Sequence, residues 1–522
     1  MAIESAVNDI SIKTNLEQFL IVLSVSLSVA TISRIFSWFR QIPYTLLLVI
    51  VGLGLAFVNI RLVNLSPELI LEIFLPPLLF EAAWNIRWRS LKENLLPVCL
   101  FAIVGVIISV VGVAFSLSQF TVLTLPIALL VGAALSASDP VSVIALFREL
   151  GASKRLTILM EGESLFNDGV AVVAFLLLVG IPLGTDEFSL SETIVRFFTF
   201  VGIGLGIGSI IGFGISYLTQ RFDLPLVEQS LTLVSAYGTY LITEELGGSG
   251  VIGVVTVGII LGNFGSRIGM NPRTRLLVSE FWEFLAFFVN SIVFLLIGDQ
   301  IKFSSLSDNL NLIGVAIAAV LVTRAIAIYG LSIISNLFTK SKINLREQTI
   351  LWWGGLRGSV AIAVALSVPA LLPGKQEIID TVFGVVLFTL LVQGLTTKWL
   401  LEKLDLIGDR GLQQEYSEFL ARRVALKRVL NYLDNMDMPP TIDTELYRYQ
   451  KKLLEGQLQS IEDKIEKMQK EHDNLRAFTI EQLKEELLDI EADTYAEFIR
   501  AGKLNENLSP VLQEIMAKAD EH

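Results

Sequence analysis

The sequence predicts an all-α polytopic membrane protein of about thirteen transmembrane helices. They form two inverted six-helix repeats with two crossed, discontinuous helices, and a helical cytoplasmic tail follows. Three observations predict this. Apolar segments of membrane-spanning length recur all the way to Leu401. Charge is sparse up to about residue 405 and dense after Asp409, and the chain as a whole is only 18% charged, against about a quarter in an ordinary soluble protein. Two of the apolar segments are interrupted by proline or paired glycines and carry a charge at the interruption.

The expected spans lie near 16–38, 43–59, 68–84, 94–118, 121–147, 156–184, 191–219, 226–246, 250–264, 279–300, 310–337, 347–372 and 378–401. Each is close to the ~20 residues that cross a bilayer, the stretch at 250–264 being the shortest. Basic residues alternate between the connecting loops. One set of loops holds Arg34 and Arg40, then Arg87, Arg89 and Lys92, then Arg148, Lys154 and Arg155, then Arg221, then Arg267, Arg273 and Arg275, and finally Lys340, Lys342 and Arg346. The other set holds little beyond Arg61, Arg196, Lys302 and Lys375. Cytoplasmic loops carry the excess of Lys and Arg, so this multi-pass cell-membrane protein is expected to have its N-terminus outside and its tail in the cytoplasm. The expected domains are a transmembrane domain over 1–404 and a helical cytoplasmic tail over 405–522.

Composition excludes several functions. The chain is 53% hydrophobic, its net charge is -12, and the negative charge falls largely in the tail, so there is no nucleic-acid footprint. The single cysteine, Cys99, makes neither an internal disulfide nor a metal cluster. The two histidines, His472 and His522, both lie in the tail, so none can relay protons within the membrane. The N-terminus, with Glu4, Asp9 and Lys13, lacks the basic start of a cleaved signal peptide. In the tail, Pro439-Pro440 marks a break. Beyond it Leu453, Leu454, Leu458, Ile461, Ile465 and Met468 recur at roughly helical spacing, as in a solvated helical appendage or a regulatory domain.

The fifth span contains Leu135-Ser136-Ala137-Ser138-Asp139-Pro140, and the twelfth contains Trp353-Gly354-Gly355-Leu356-Arg357-Gly358-Ser359. Proline removes a backbone donor and paired glycines weaken the helical ladder. With the seventh span as a linker, these two occupy equivalent places in repeats of opposite topology. Interrupted helices at matching places point to a transporter's central site.

A charged side chain at the bilayer centre costs at least ~2.5–3.5 kcal/mol, so each one calls for a reason. The buried set is Asp139, Glu163, Asp168 and Arg357, with Arg324 a further candidate whose role is left open. In Glu161-Gly162-Glu163-Ser164-Leu165-Phe166-Asn167-Asp168, the pair Ser164 and Asp168 share one helix face at i, i+4, and Glu163 and Asn167 share the next. Asp168 and Ser164 can together offer oxygens to one small, hard cation, and broken helices add free carbonyls. Desolvation favours the neutral form of a carboxyl group, so such an aspartate holds a proton or a cation but not both. Competition for one carboxylate is enough to make an exchanger. Asp139 and Arg357 can neutralise the dipole ends at the two breaks, and Glu163 is the acidic group left to pair with Arg357. That pair is expected to hold helices together.

The segments Ser138-Asp139-Pro140, Glu163-Ser164-Leu165-Phe166-Asn167-Asp168-Gly169, Gly355-Leu356-Arg357-Gly358 and Phe74-Leu75-Pro76-Pro77-Leu78-Leu79-Phe80 resemble the cation/proton antiporter-1 family of sodium/proton exchangers. The resemblance spans the membrane domain. It implies thirteen helices, a homodimer and a core domain that moves against a dimerisation domain. The family's cation-binding aspartate falls on Asp168, with Ser164 and the backbone around Ser138 as further ligands. Its salt bridge falls on Glu163 and Arg357. Ser138 stands where many relatives carry threonine, and either offers a hydroxyl. An asparagine before the aspartate, here Asn167, marks the family's electroneutral exchangers. The expected activity is therefore one-for-one exchange of sodium, and also lithium, for protons. Asp168, Ser164, Ser138, Asp139 and Asn167 form the ion site, and no cofactor or enzyme activity is expected.

Rival functions fit less well. An intramembrane aspartyl protease could use Asp139 and Asp168, but neither lies in a Gly-x-Gly-Asp context. A membrane serine protease lacks its histidine. A channel lacks a repeated filter-like segment. A proton-coupled transporter of another substrate is the runner-up; for an organic anion, Asp139 and Asp168 would repel the cargo.

Overall fold

The computed structural model describes residues 2–35, 43–58, 66–139, 141–185, 189–219, 224–301, 303–339, 341–407, 410–435 and 444–471, with single helical positions between 487 and 498. Pro140, the loop residues Arg40, Arg61, Arg221, Lys302 and Lys340, and Pro439, Pro440, His472 and His522 lie outside them. The described residues are mostly helical and contain no strand. The chain divides into two compact units, Met1–Leu406 and Ile407–His522.

In the first unit, each of the thirteen apolar stretches read from the sequence falls on a helix. In chain order these are α1 (Ala2–Ile35), α2 (Tyr44–Phe57), α3 (Leu75–Asn85) and α4 (Leu95–Phe120), then the interrupted pair α5 (Leu125–Ser136) and α6 (Val141–Leu150). Then come α7 (Lys154–Leu178), α8 (Leu190–Thr219), α9 (Pro225–Glu245), α10 (Gly250–Ile260), α11 (Pro272–Asp299) and α12 (Leu310–Phe338). The twelfth stretch is again split, into α13 (Leu345–Trp353) and α14 (Ser359–Leu366), and α15 (Lys375–Phe388) runs on helically to Lys403. Six of these helices are long and apolar enough by themselves to cross a membrane, and α2, α5 and α10 are shorter apolar helices.

Local chemistry explains the irregular turns. Pro76 and Pro77 open α3, and the turn before it, Leu69–Phe74, is wide. Pro77 has no N–H to give the Ile73 carbonyl; that carbonyl instead accepts from the Tyr237 hydroxyl at 2.9 Å. The breaks at 137–139 and 354–358 leave helix-end peptide groups without helical partners, and these must be satisfied from elsewhere. Around the breaks, α7 packs on α5, and α14 packs on α5, α7 and α15.

The second unit contains α16 (Arg410–Asn435) and α17 (Thr444–Glu471), packed against each other. Tyr416 and Ile465 are buried, with Phe419, Leu420, Ile461 and Met468 around them. Lys427 pairs with Glu462 at 2.8 Å, and the Gln469 amide donates to the Tyr416 hydroxyl at 2.6 Å. Of the stripe expected here, Ile461, Ile465 and Met468 join this core, whereas Leu453 is exposed.

Candidate functional site

The two helix breaks meet. The N–H of Asp139 donates to the carbonyl of Leu356 at 2.8 Å, so the interruptions touch backbone to backbone. Three charged side chains then satisfy four helix ends. The Asp139 carboxylate accepts from the N–H of Val141, at the start of α6, and from the N–H of Ser359, at the start of α14. Arg357 Nη1 donates to the carbonyls of Ser136 and Ala137 at 2.9 and 3.0 Å, at the end of α5. Arg324, from α12, donates to the carbonyls of Leu351 and Trp352 at 2.9 and 3.1 Å, at the end of α13. The anion thus sits at the two positive dipole ends and the cations at the two negative ones.

This arrangement corrects the expected salt bridge. Glu163 is paired with Arg324, through two parallel hydrogen bonds of 2.9 and 3.0 Å, and not with Arg357. The physical reason is the demand for backbone partners. Arg357 reaches the α5 carbonyls, whereas Arg324, while reaching the α13 carbonyls, also turns its Nη1 and Nη2 edge toward the Glu163 carboxylate. Both members of the pair are buried. The only signal in the sequence was Arg324 itself, a second arginine at mid-span. The glycines of the break allow these approaches: a Cβ at Gly355 would overlap the Arg324 guanidinium, and one at Gly358 would overlap the Asp139 carboxylate.

Beside the crossing, α7 brings up Ser164, Asn167 and Asp168, all buried. The Ser164 hydroxyl donates to the Ser138 carbonyl at 2.5 Å, and Asn167 Nδ2 donates to the Ser138 hydroxyl at 3.3 Å. The residues singled out as ion ligands are therefore brought together, with the Ser138 backbone at their centre. Asp168 lies within electrostatic reach of Asp139, Arg357 and Glu163. Oδ1 of Asp168 and Oδ1 of Asn167 are buried and accept no hydrogen bond among the described residues. A buried oxygen without a donor is costly; two together form a set that suits a hard cation. Glu163 and Arg324 cancel. The remaining arginine, Arg357, lies within electrostatic reach of Asp168, so three carboxylates and two guanidiniums leave the crossing with a formal surplus of one negative charge.

The sequence profile of the transmembrane sodium/hydrogen exchanger family matches residues 24–403. The chain belongs to this family. A Na+/H+ antiporter of Aphanothece halophytica is 70% identical to it over 521 residues, covering 100% of both chains. A low-affinity Na+/H+ antiporter of Synechocystis is 65% identical over 514 residues, covering 98% of each. Among solved structures, the sodium proton antiporter of Methanocaldococcus jannaschii superimposes with a TM-score of 0.62 at 21% identity, over 75% of this chain and 99% of that one. At that identity the likeness shows the fold. Membership in an exchanger family makes the chain a membrane transporter, and its all-helical fold is the one it shares with that solved structure.

Proposed function

We propose that this chain exchanges one sodium ion, or one lithium ion, for one proton, with Asp168 as the ligand both compete for. The observation that carries the reading is the buried Oδ1 of Asp168, without a donor, at a crossing with one unbalanced negative charge. One proton or one monovalent cation neutralises that charge, and either cancels the penalty of an isolated buried ion. The two species are equivalent in charge and exclusive in space, so exchange is one for one and electroneutral. Ser164, Asn167 and the Ser138 carbonyl complete the oxygen set, and Asp139 holds the half-helices that carry it. The two relatives given above, both Na+/H+ antiporters, support sodium as cargo.

Alternating access follows if α5–α6, α7 and α13–α14 move as one body against the rest of the membrane domain. The paired interruptions support a two-repeat design of this kind. The arrangement of basic loop residues supports a multi-pass cell-membrane protein with its N-terminus outside and its tail in the cytoplasm. The resemblance to the exchanger family supports a homodimer in lipid, with 1–404 as its transport domain and 405–522 as a helical cytoplasmic tail.

Reconstitution into proteoliposomes with an internal pH dye tests the central claim. Sodium and lithium added to wild type should dequench the dye. Asp168→Asn keeps the side-chain shape and removes the charge, so it should fold and show no flux. Near-normal turnover in that variant removes Asp168 from the assignment.

A further inference from the structure

Glu161, Ser164 and Asp168 lie at i, i+3 and i+7 on α7 and so form one stripe along the helix. Seven residues of helix separate Glu161 from Asp168 by about 10 Å. The stripe passes from partly exposed to buried: the Glu161 side chain is 21% exposed, and Asp168 is 7% exposed. At its outer end stands an ion pair. Arg148 Nη2, from α6, donates to Glu161 Oε1 at 2.7 Å, and the Arg148 side chain is 61% exposed. Glu81 of α3 is within electrostatic reach of both members of the pair, Glu283 of α11 is within reach of Glu81, and the Asn85 amide donates to Glu81 at 2.5 Å. Glu161 and Glu81 therefore share one arginine, with Glu283 beside Glu81. The surplus is negative at the point where the stripe meets solvent, on the face that carries the basic loops.

We propose that Glu161 is the first carboxylate to take the cation on its way to Asp168, and that Arg148 is the built-in counter-ion the cation must displace. The inference rests on exchange at Asp168. An ion pair with one partner mostly in water is held weakly, so a hard cation can compete for the carboxylate. The charge of the exposed Glu283, joined by Glu81 when it is ionised, raises the local cation concentration while Arg148 keeps Glu161 from trapping the ion. Because Arg148 sits on α6 and Glu161 on α7, displacing the arginine also frees the far end of the half-helix whose start is held by Asp139. Arg148 is thus a positioning residue that acts through Glu161, and it tunes apparent sodium affinity on this face.

The test uses the full-length protein in everted membrane vesicles, which present the cytoplasmic face to added sodium. Wild type, Arg148→Gln, Glu161→Gln and the double variant are compared by sodium-dependent dequenching and by melting temperature. Arg148→Gln should lower the apparent KM for sodium by about twofold to fivefold, the factor set by the strength of an exposed pair. Glu161→Gln should raise it by at least as much, and both effects should fall on KM more than on Vmax. The double variant should match Glu161→Gln alone, since Glu161 is the carboxylate that Arg148 hydrogen-bonds and Glu81 feels the arginine only at longer range. A merely structural tie predicts something else: both single variants melt earlier and lose Vmax together, with KM unmoved. That result overturns the proposal, as does a higher KM in Arg148→Gln. Should wild type itself show no sodium-driven flux, exchange at Asp168 falls first and this role falls with it.

Discussion

The N–H of Asp139 reaches the carbonyl of Leu356 across the two helix breaks at 2.8 Å. That single hydrogen bond joins α5–α6 to α13–α14 at the depth where both lack regular structure. It fixes where their ends point, and so which charge each end requires. The site's electrostatics follow from this contact: a carboxylate for two helix starts and an arginine for each helix finish.

The buried pair Glu163 and Arg324 should behave as a structural unit. Removing one partner leaves an uncompensated buried charge, which costs ~3–5 kcal/mol. Glu163→Ala and Arg324→Ala should each melt earlier in detergent, and the double variant Glu163→Gln with Arg324→Met should recover part of the loss. Arg357→Ala should also destabilise, through the abandoned carbonyls of Ser136 and Ala137, but pairing it with a Glu163 substitution should recover nothing. Recovery in the Glu163 and Arg357 combination would contradict the pairing described above.

Gly358 is predicted to tolerate no side chain. A Cβ there overlaps the carboxylate of Asp139, so Gly358→Ala should displace the group that caps both half-helices and abolish most exchange. Gly54→Ala is the control, because a Cβ at Gly54 meets open space. It should leave flux intact and, within a helix, stabilise by roughly 0.5–1 kcal/mol. Equal flux in the two variants would mean that the crossing is more plastic than its packing implies.

Stoichiometry is readable in voltage. With a surplus of one carboxylate at the crossing and Asn167 beside Asp168 uncharged, one proton or one cation restores the balance and each cycle should move no net charge. Imposing a membrane potential on sodium-loaded proteoliposomes should leave the exchange equilibrium where it was. Potential-driven sodium accumulation would require more than one proton per cation and a second titrating group.

The pH profile should be bell-shaped without a dedicated sensor. As pH falls, protonation of Asp168 removes the cation's ligand, so apparent sodium affinity drops. As pH rises, protons become too scarce to return through the site, and turnover drops again. Raising sodium must therefore move the acidic limb to lower pH, because the two species compete. An acidic limb that stays put as sodium is varied, or that disappears when the chain is cut after Leu412, would assign the pH response to the tail.

Much of this protein was legible in its sequence because the membrane imposes one-dimensional rules. Span length, the alternation of basic loops and the rarity of buried charge each act along the chain, and they located the helices, both interruptions, and the cluster of Ser164, Asn167 and Asp168. The crossing was foreseeable too, since two breaks at matching places have unmet peptide groups to share. The partner of Glu163 was not foreseeable. Arg324 and Arg357 are both arginines at mid-span, and nothing local distinguishes them. The choice was made by which helix-end carbonyls each could reach: Ser136 and Ala137 for Arg357, Leu351 and Trp352 for Arg324. Composition and period thus determined which groups are buried. Only the tertiary packing decided which of them face each other, because a buried polar group takes the partner its backbone brings within about 3 Å, and that distance is set by helices far apart in the chain.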